Sequence, residues 1–326
     1  MYAQSQTREM PPIAAAIIWA ALIALGVALG IHLGFGGFRF AAAMAVCSVL
    51  LAGHIFPAAP RVRNQLLSWF AKRGGVFAVL IPLGAFIVYS TAVAGNWKTA
   101  LCGAAYVLLP TLVLIGVARK ENATFVDYVA VLLIWLPVEF RWMYKLLSYP
   151  PPLTHTLTIL LAVNTALAAF LFSRQLSGIG YAAEWRRGFS MAVAFNFLVF
   201  IAIAIPLGEA LGFLHFAPSL TRLRSVPLAA IGILFFTAWP EELLFRGLLQ
   251  NLLAKSLKNE WAGLIAASLV FGASHLNNGG FPNWRYGILA TIAGIFYGRA
   301  WIKTGSLLPG AIVHALVDVL WHILFR

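Results

Sequence analysis

Charge is scarce in this sequence. Only 10% of its 326 residues are Asp, Glu, Lys or Arg, ten acids against 23 bases, while 61% are hydrophobic. A soluble domain carries about 25% charged residues, and the mean hydropathy here is +0.87. So few ionic groups cannot cover a water-facing surface, which excludes a soluble globule and points to a polytopic membrane protein. Cysteine is sparse as well: Cys47 and Cys102 are the two present and both lie inside apolar runs, which argues against a disulfide framework. The formal net charge of +13 does not gather into a basic stripe, and no nucleic-acid motif occurs. Nucleic acid is therefore not expected as a partner; membrane lipids, through their anionic headgroups, are. A Gly-rich phosphate loop and an HExxH zinc helix are also missing, as is any internal repeat.

What the sequence has is long apolar runs, and a spanning helix needs about 20 such residues. Ten qualify: Ile13–Leu33, Phe40–Ala58, Val76–Ala94, Thr99–Ala118, Leu153–Phe172, Phe189–Leu207, Pro227–Leu249, Trp261–Leu276, Tyr286–Ile302 and Leu307–Phe325. Val126–Val138 is a short eleventh that holds Asp127 and Pro137, a tilted span or a re-entrant piece. The expected fold is an all-α transmembrane bundle of about ten or eleven spans. The first run is too long for a signal-peptide core and reads as a retained span.

With eleven spans, the side of the N-terminus carries Arg8, Arg61, Arg63, Lys72, Arg73, Arg119, Lys120, Arg174, Arg186, Arg187, Lys255, Lys258, Arg299 and Lys303. The opposite side carries Arg39, Lys98, Arg141, Lys145, Arg222, Arg224, Arg285 and Arg326. The positive-inside rule then places the N-terminus in the cytoplasm, in a membrane of the bacterial inner or plasma type.

The polar stretch Ser173–Arg187 divides the chain into residues 1–187 and 188–326. Before it, ionisable residues in the runs are scattered: His32, His54, Asp127 and His155. After it they cluster, and each charge at the centre of a span costs roughly 2.5–3.5 kcal/mol on insertion scales. Glu242 and Arg246 are four apart and can meet on one helix face. Glu241 points about 100° away and has no cation at helical spacing. An unpaired, desolvated carboxylate suits general-base work, although a structural ion pair beside a solvated Glu is the alternative. Pro240 lacks a backbone donor and is expected to loosen the helix there. His275 follows Phe271 by four residues near a helix end, either as a catalytic group or as an interfacial histidine. His314 and Asp318 share a face of the last helix, as a packing pair or as a polar wall facing a cavity. His322 reads as interfacial. The Oγ of Ser274 is expected to face away from His275, which leaves no activated serine nucleophile.

A buried Glu near a His can activate water, and a second His with a polar neighbour can donate to the oxyanion of an attacked amide. Glu241, His275 and His314 are also chemically competent zinc ligands. Their separations of 34 and 39 residues match no metal motif, and metal dependence stays open. A proton-coupled transporter or a non-catalytic scaffold would equally need polar groups within spans.

At these residues the sequence resembles the CPBP family, which comprises the type II CAAX prenyl proteases and the bacteriocin-processing proteases, also called Abi. The pattern EExxxR, FxxxH, HxxxN reads here as Glu241-Glu242-xxx-Arg246, Phe271-xxx-His275 and His314-xxx-Asp318, over roughly Pro227–Phe325. The resemblance implies an intramembrane endopeptidase in residues 188–326, acting on a membrane-associated protein or peptide. It implies that Glu241 and His275 activate the water, that His314 and Asp318 form the oxyanion site, and that Glu242 and Arg246 support them. It leaves residues 1–187 without an assigned role. Asp318 departs from the Asn of the eukaryotic members. An ionised Asp cannot donate to an oxyanion, so it would be protonated, or would orient His314 or a metal instead. An immunity or scaffold protein that retains the fold is the alternative.

Overall fold

The computed structural model describes residues 7–117 and 122–325. Ala118, the last residue of one expected span, and the loop bases Arg119, Lys120 and Arg326 lie outside the described residues. In hydrocarbon every backbone N–H and C=O must be paired within the chain, so apolar runs of this kind become helices. The described chain accordingly forms α1 (Pro12–His32), α2 (Gly37–Ala58), α3 (Pro60–Arg73), α4 (Gly75–Ala94), α5 (Trp97–Val113), α6 (Phe125–Glu139), α7 (Trp142–Leu146) and α8 (Pro151–Ser173). It continues with α9 (Phe189–Ala210), α10 (Leu220–Leu257), α11 (Glu260–Ser274), α12 (Trp284–Thr304) and α13 (Leu307–Leu324). Arg8–Glu9 and Glu184–Trp185 are the strand segments among the described residues.

The protein is an all-α polytopic membrane bundle, and each of the eleven expected runs falls on a helix. Among the described residues seven helices are long and apolar enough to cross a membrane: α1, α2, α4, α8, α9, α10 and α13. The other four are shorter or more charged. α5 and α11 are shorter apolar helices, α6 has 15 residues, and α12 carries Arg285, Arg299 and Lys303. The run with Asp127 is a regular helix.

Contacts divide the chain into two compact units. Of the described residues, one holds 9–117, 122–177 and 182–184, the other 178–181 and 185–325, with 7–8. In the first, α8 is the buried centre, with Leu157, Leu160, Leu161 and Ala166–Phe172 all shielded. Asn164 Nδ2 donates to the Leu50 and Leu160 carbonyls at 2.7 and 2.8 Å, joining α8 to α2. Asp127 is explained by a partner far away in sequence. Its Oδ1 takes Arg174 Nε at 2.9 Å with both side chains fully buried, while its Oδ2 caps α6 through Thr124 N at 2.7 Å. Breaking a buried pair leaves an uncompensated charge, at a cost of about 3–5 kcal/mol. Asp127→Ala is therefore expected to lower stability by that amount, read from denaturation of the purified protein in micelles.

The second unit contains every clustered residue of the sequence. Asn259 caps α11 by accepting from Trp261 N and Ala262 N at 2.9 and 3.0 Å, and Ser306 caps α13 through Leu308 N. Gly305, at φ 65°, ends α12 in the left-handed region that favours glycine. Close helix approach depends on small residues. A Cβ on Gly272 of α11 would run into Thr291 and the Gly287 carbonyl of α12.

Candidate active site

The motif helix α10 is continuous yet irregular. Leu234–Ala238 and Leu243–Gln250 are π-helical turns, and a four-residue α segment, Trp239–Glu242, lies between them. The missing N–H of Pro240 accounts for the departure from i→i−4 bonding at its start, and such turns are frequent at functional sites. Within this stretch Glu242 Oε1 meets Arg246 Nη1 at 3.1 Å, both fully buried. Arg246 Nη2 also donates to the Gly294 carbonyl at 3.2 Å, and the guanidinium lies 4.5 Å from the centre of the Phe271 ring. The ion pair read from the i, i+4 spacing is present.

His314 sits at the centre of the cluster. Its Nδ1 donates to the same Glu242 Oε1 at 3.1 Å. Its Nε2 faces Asp318 Oδ2 at 3.6 Å and Glu241 Oε2 at 3.9 Å. Glu241 Oε2 is buried and accepts no hydrogen bond, although the side chain as a whole is 31% exposed. Gly310, one turn before His314, permits this approach, because a Cβ there would sit 3.1 Å from Glu242 Oε2. The imidazole is held flat against Tyr297, ring centres 4.6 Å apart at 16°, and edge-on to Phe271 at 5.9 Å.

His275 belongs to the same pocket but not to this hydrogen-bonded group. It caps α11, and its Nδ1 lies 2.8 Å from the Phe271 carbonyl. A carbonyl can only accept, so Nδ1 carries the proton and Nε2 is left as an acceptor. Its ring packs between Phe271 at 4.6 Å and Tyr286 at 4.8 Å. Among the described residues no hydrogen bond or ion pair joins His275 to Glu241. Ser274 corrects an expectation: its Oγ lies 3.2 Å from His275 Nδ1 rather than facing away. Its proton goes to the Phe271 carbonyl at 2.8 Å, so it is not an activated nucleophile.

His275, His314 and Asp318 line one cavity of about 380 Å³, together with Tyr286, Tyr297 and Trp321. Apart from His322, its remaining walls, among them Phe200, Ala204, Leu289 and Val317, are apolar. Glu241 is not among the lining residues and reaches the cavity through its contact with His314. His322 also lines it and pairs with Ser225 Oγ at 3.2 Å. Among the described residues no group of three or more His, Cys, Asp or Glu is placed to hold a metal ion, and Glu241, His275 and His314 are not gathered into one. Tyr286 and Tyr297 were missed in the sequence. They lie 11 residues apart, close to three helical turns, and that shared face of α12 was the available signal.

These motif residues fall inside one recognised region. Residues 223–320 match the family model described as type II CAAX prenyl endopeptidase Rce1-like. That segment is similar to the type II CAAX prenyl endopeptidases. The match covers under a third of the chain, from the start of α10 into α13. No curated protein and no solved structure matches. A CAAX-type intramembrane protease is thus the kind of function this chain carries, and the CAAX-protease segment holds every residue of the His314 cluster.

Proposed function

We propose that the chain is an intramembrane endopeptidase that hydrolyses a peptide bond of a membrane-associated protein or peptide with water as nucleophile. The carrying observation is that Glu241 and Asp318 converge on one nitrogen of His314 beside a largely apolar cavity. Glu241 takes a proton from the attacking water as its oxygen bonds to the carbonyl carbon, and returns it to the amine as the C–N bond breaks. His275, with Nε2 as acceptor, orients that water from the cavity wall. His314 donates to the oxyanion through Nε2. Because Nδ1 already donates to Glu242, this role requires both ring nitrogens to be protonated, and Glu242 balances the charge. Asp318 orients His314 rather than donating, which accommodates an ionised Asp at this position. The excess of loop bases on the side of the N-terminus supports a cytoplasmic N-terminus.

The test is cleavage of membrane-anchored peptides by the full chain in liposomes, in water enriched in ¹⁸O, read by mass spectrometry. One labelled oxygen is expected in each new carboxylate. His275→Ala is expected to lose about 10²–10⁴-fold in rate, the range for a positioned acid–base group. Asp318→Asn is expected to stay within about tenfold, while Asp318→Ala loses about 10²–10³-fold, as for an oxyanion-site group. No cleavage by the wild type across the panel, or full activity in His275→Ala, overturns the proposal and favours a scaffold that keeps the fold.

A further inference from the structure

Away from the His314 cluster, the second unit has a groove of different chemistry. It holds about 460 Å³ between the start of α9 and the end of α12, and Arg186, Arg187, Arg299 and Lys303 line it with no acid among the lining residues. Of these, Arg187, Arg299 and Lys303 bring three cations to one concavity, a costly arrangement in a chain with 23 bases unless an anion or water enters it. Arg299 is held in place. Its Nη1 donates to Asn196 Oδ1 at 3.0 Å, and its guanidinium lies 4.4 Å from the centre of the Phe195 ring. Asn196 is itself fully buried and anchored to the Ala192 carbonyl at 2.7 Å. Arg299 and Lys303 are four apart and so share a face of α12.

The rest of the groove is what separates a lipid from a dissolved anion. Met191 and Phe195 line it, on one face of α9, and remain 76% and 47% exposed. Met191 and Phe195 lie within a helix long and apolar enough to cross a membrane, so this exposed apolar surface suits hydrocarbon better than water. A cationic mouth that continues into an apolar wall matches an amphiphile. The first turn of α9 adds partial positive charge at the mouth, because Gly188 caps it without a side chain.

We propose that this groove is a binding site for the phosphate of an anionic phospholipid, with Arg187, Arg299 and Lys303 on the phosphate and Met191 and Phe195 against the acyl chains. Basic pockets between transmembrane helices bind headgroups in this way. The site is separate from the proposed chemistry, and its test does not read cleavage.

The experiment is native mass spectrometry of the full chain in micelles, titrated with phosphatidylglycerol or phosphatidylcholine. One phosphatidylglycerol is expected to be retained about tenfold more strongly than phosphatidylcholine. Arg187→Gln/Lys303→Gln, at two exposed positions, is expected to weaken retention about 25-fold, at about fivefold per base. Arg299→Gln should do at least as much; the exposed pair keeps the test valid if that variant does not fold. Lys72→Gln/Arg73→Gln on α3 is the control and should change nothing. Equal retention of both lipids, an unchanged Arg187→Gln/Lys303→Gln variant, or an equal loss in the control overturns the proposal. Displacement of the lipid by millimolar inorganic phosphate would also overturn it, by showing that the groove takes a free anion.

Discussion

Glu241→Gln is expected to lower the rate of peptide cleavage by at least about 10³-fold while leaving the protein folded and substrate binding nearly unchanged. Gln matches Glu in shape but cannot take a proton, so the change removes the base and little else. Structure gives the reason why folding should survive. Glu241 Oε2 accepts no hydrogen bond and stands 3.9 Å from His314 Nε2, so the amide forfeits no bond that holds the helices together. Removing a group used only in the transition state lowers kcat and kcat/KM together. The checks are thermal denaturation and steady-state kinetics on a common substrate. Loss of folding in Glu241→Gln would make the carboxylate structural, and full activity would end the water-activation mechanism.

Much of this site was legible in the residues, where spacing within one helix decides the geometry. The Glu242–Arg246 pair and the His314–Asp318 approach both follow from i, i+4 positions. The isolation of Glu241 follows from the absence of a cation one turn away. What could not be read was contact between helices. His314 Nδ1 meets Glu242 across 72 residues, and Asp127 meets Arg174 across 47. Such pairs depend on helix order and rotation, which periodicity does not encode. The π turns around Glu242 were foreshadowed only by Pro240. The spacing of Tyr297 from Tyr286 marked a shared face of α12 but not the stacking on His314, since that too is a contact between helices.

The contrast between neighbouring carboxylates yields the second large effect. Glu242→Leu also removes a carboxylate, one residue along, but this one pairs with the Arg246 guanidinium at 3.1 Å and accepts from His314 Nδ1 at 3.1 Å. The fully buried guanidinium would keep its hydrogen bond to the Gly294 carbonyl and lose its carboxylate. Breaking a buried pair in this way costs about 3–5 kcal/mol, so Glu242→Leu is expected to be markedly destabilised where Glu241→Gln is not. Replacing both partners with apolar groups is often neutral, and Glu242→Leu/Arg246→Met should regain most of that loss. The double variant should nonetheless remain inactive, because His314 Nδ1 would still lack the acceptor that orients its ring. A double-mutant cycle with parallel denaturation and cleavage measurements separates the two roles. If activity returned with stability, Glu242 would serve only to neutralise Arg246; if stability alone returned, it would be a positioning residue for His314.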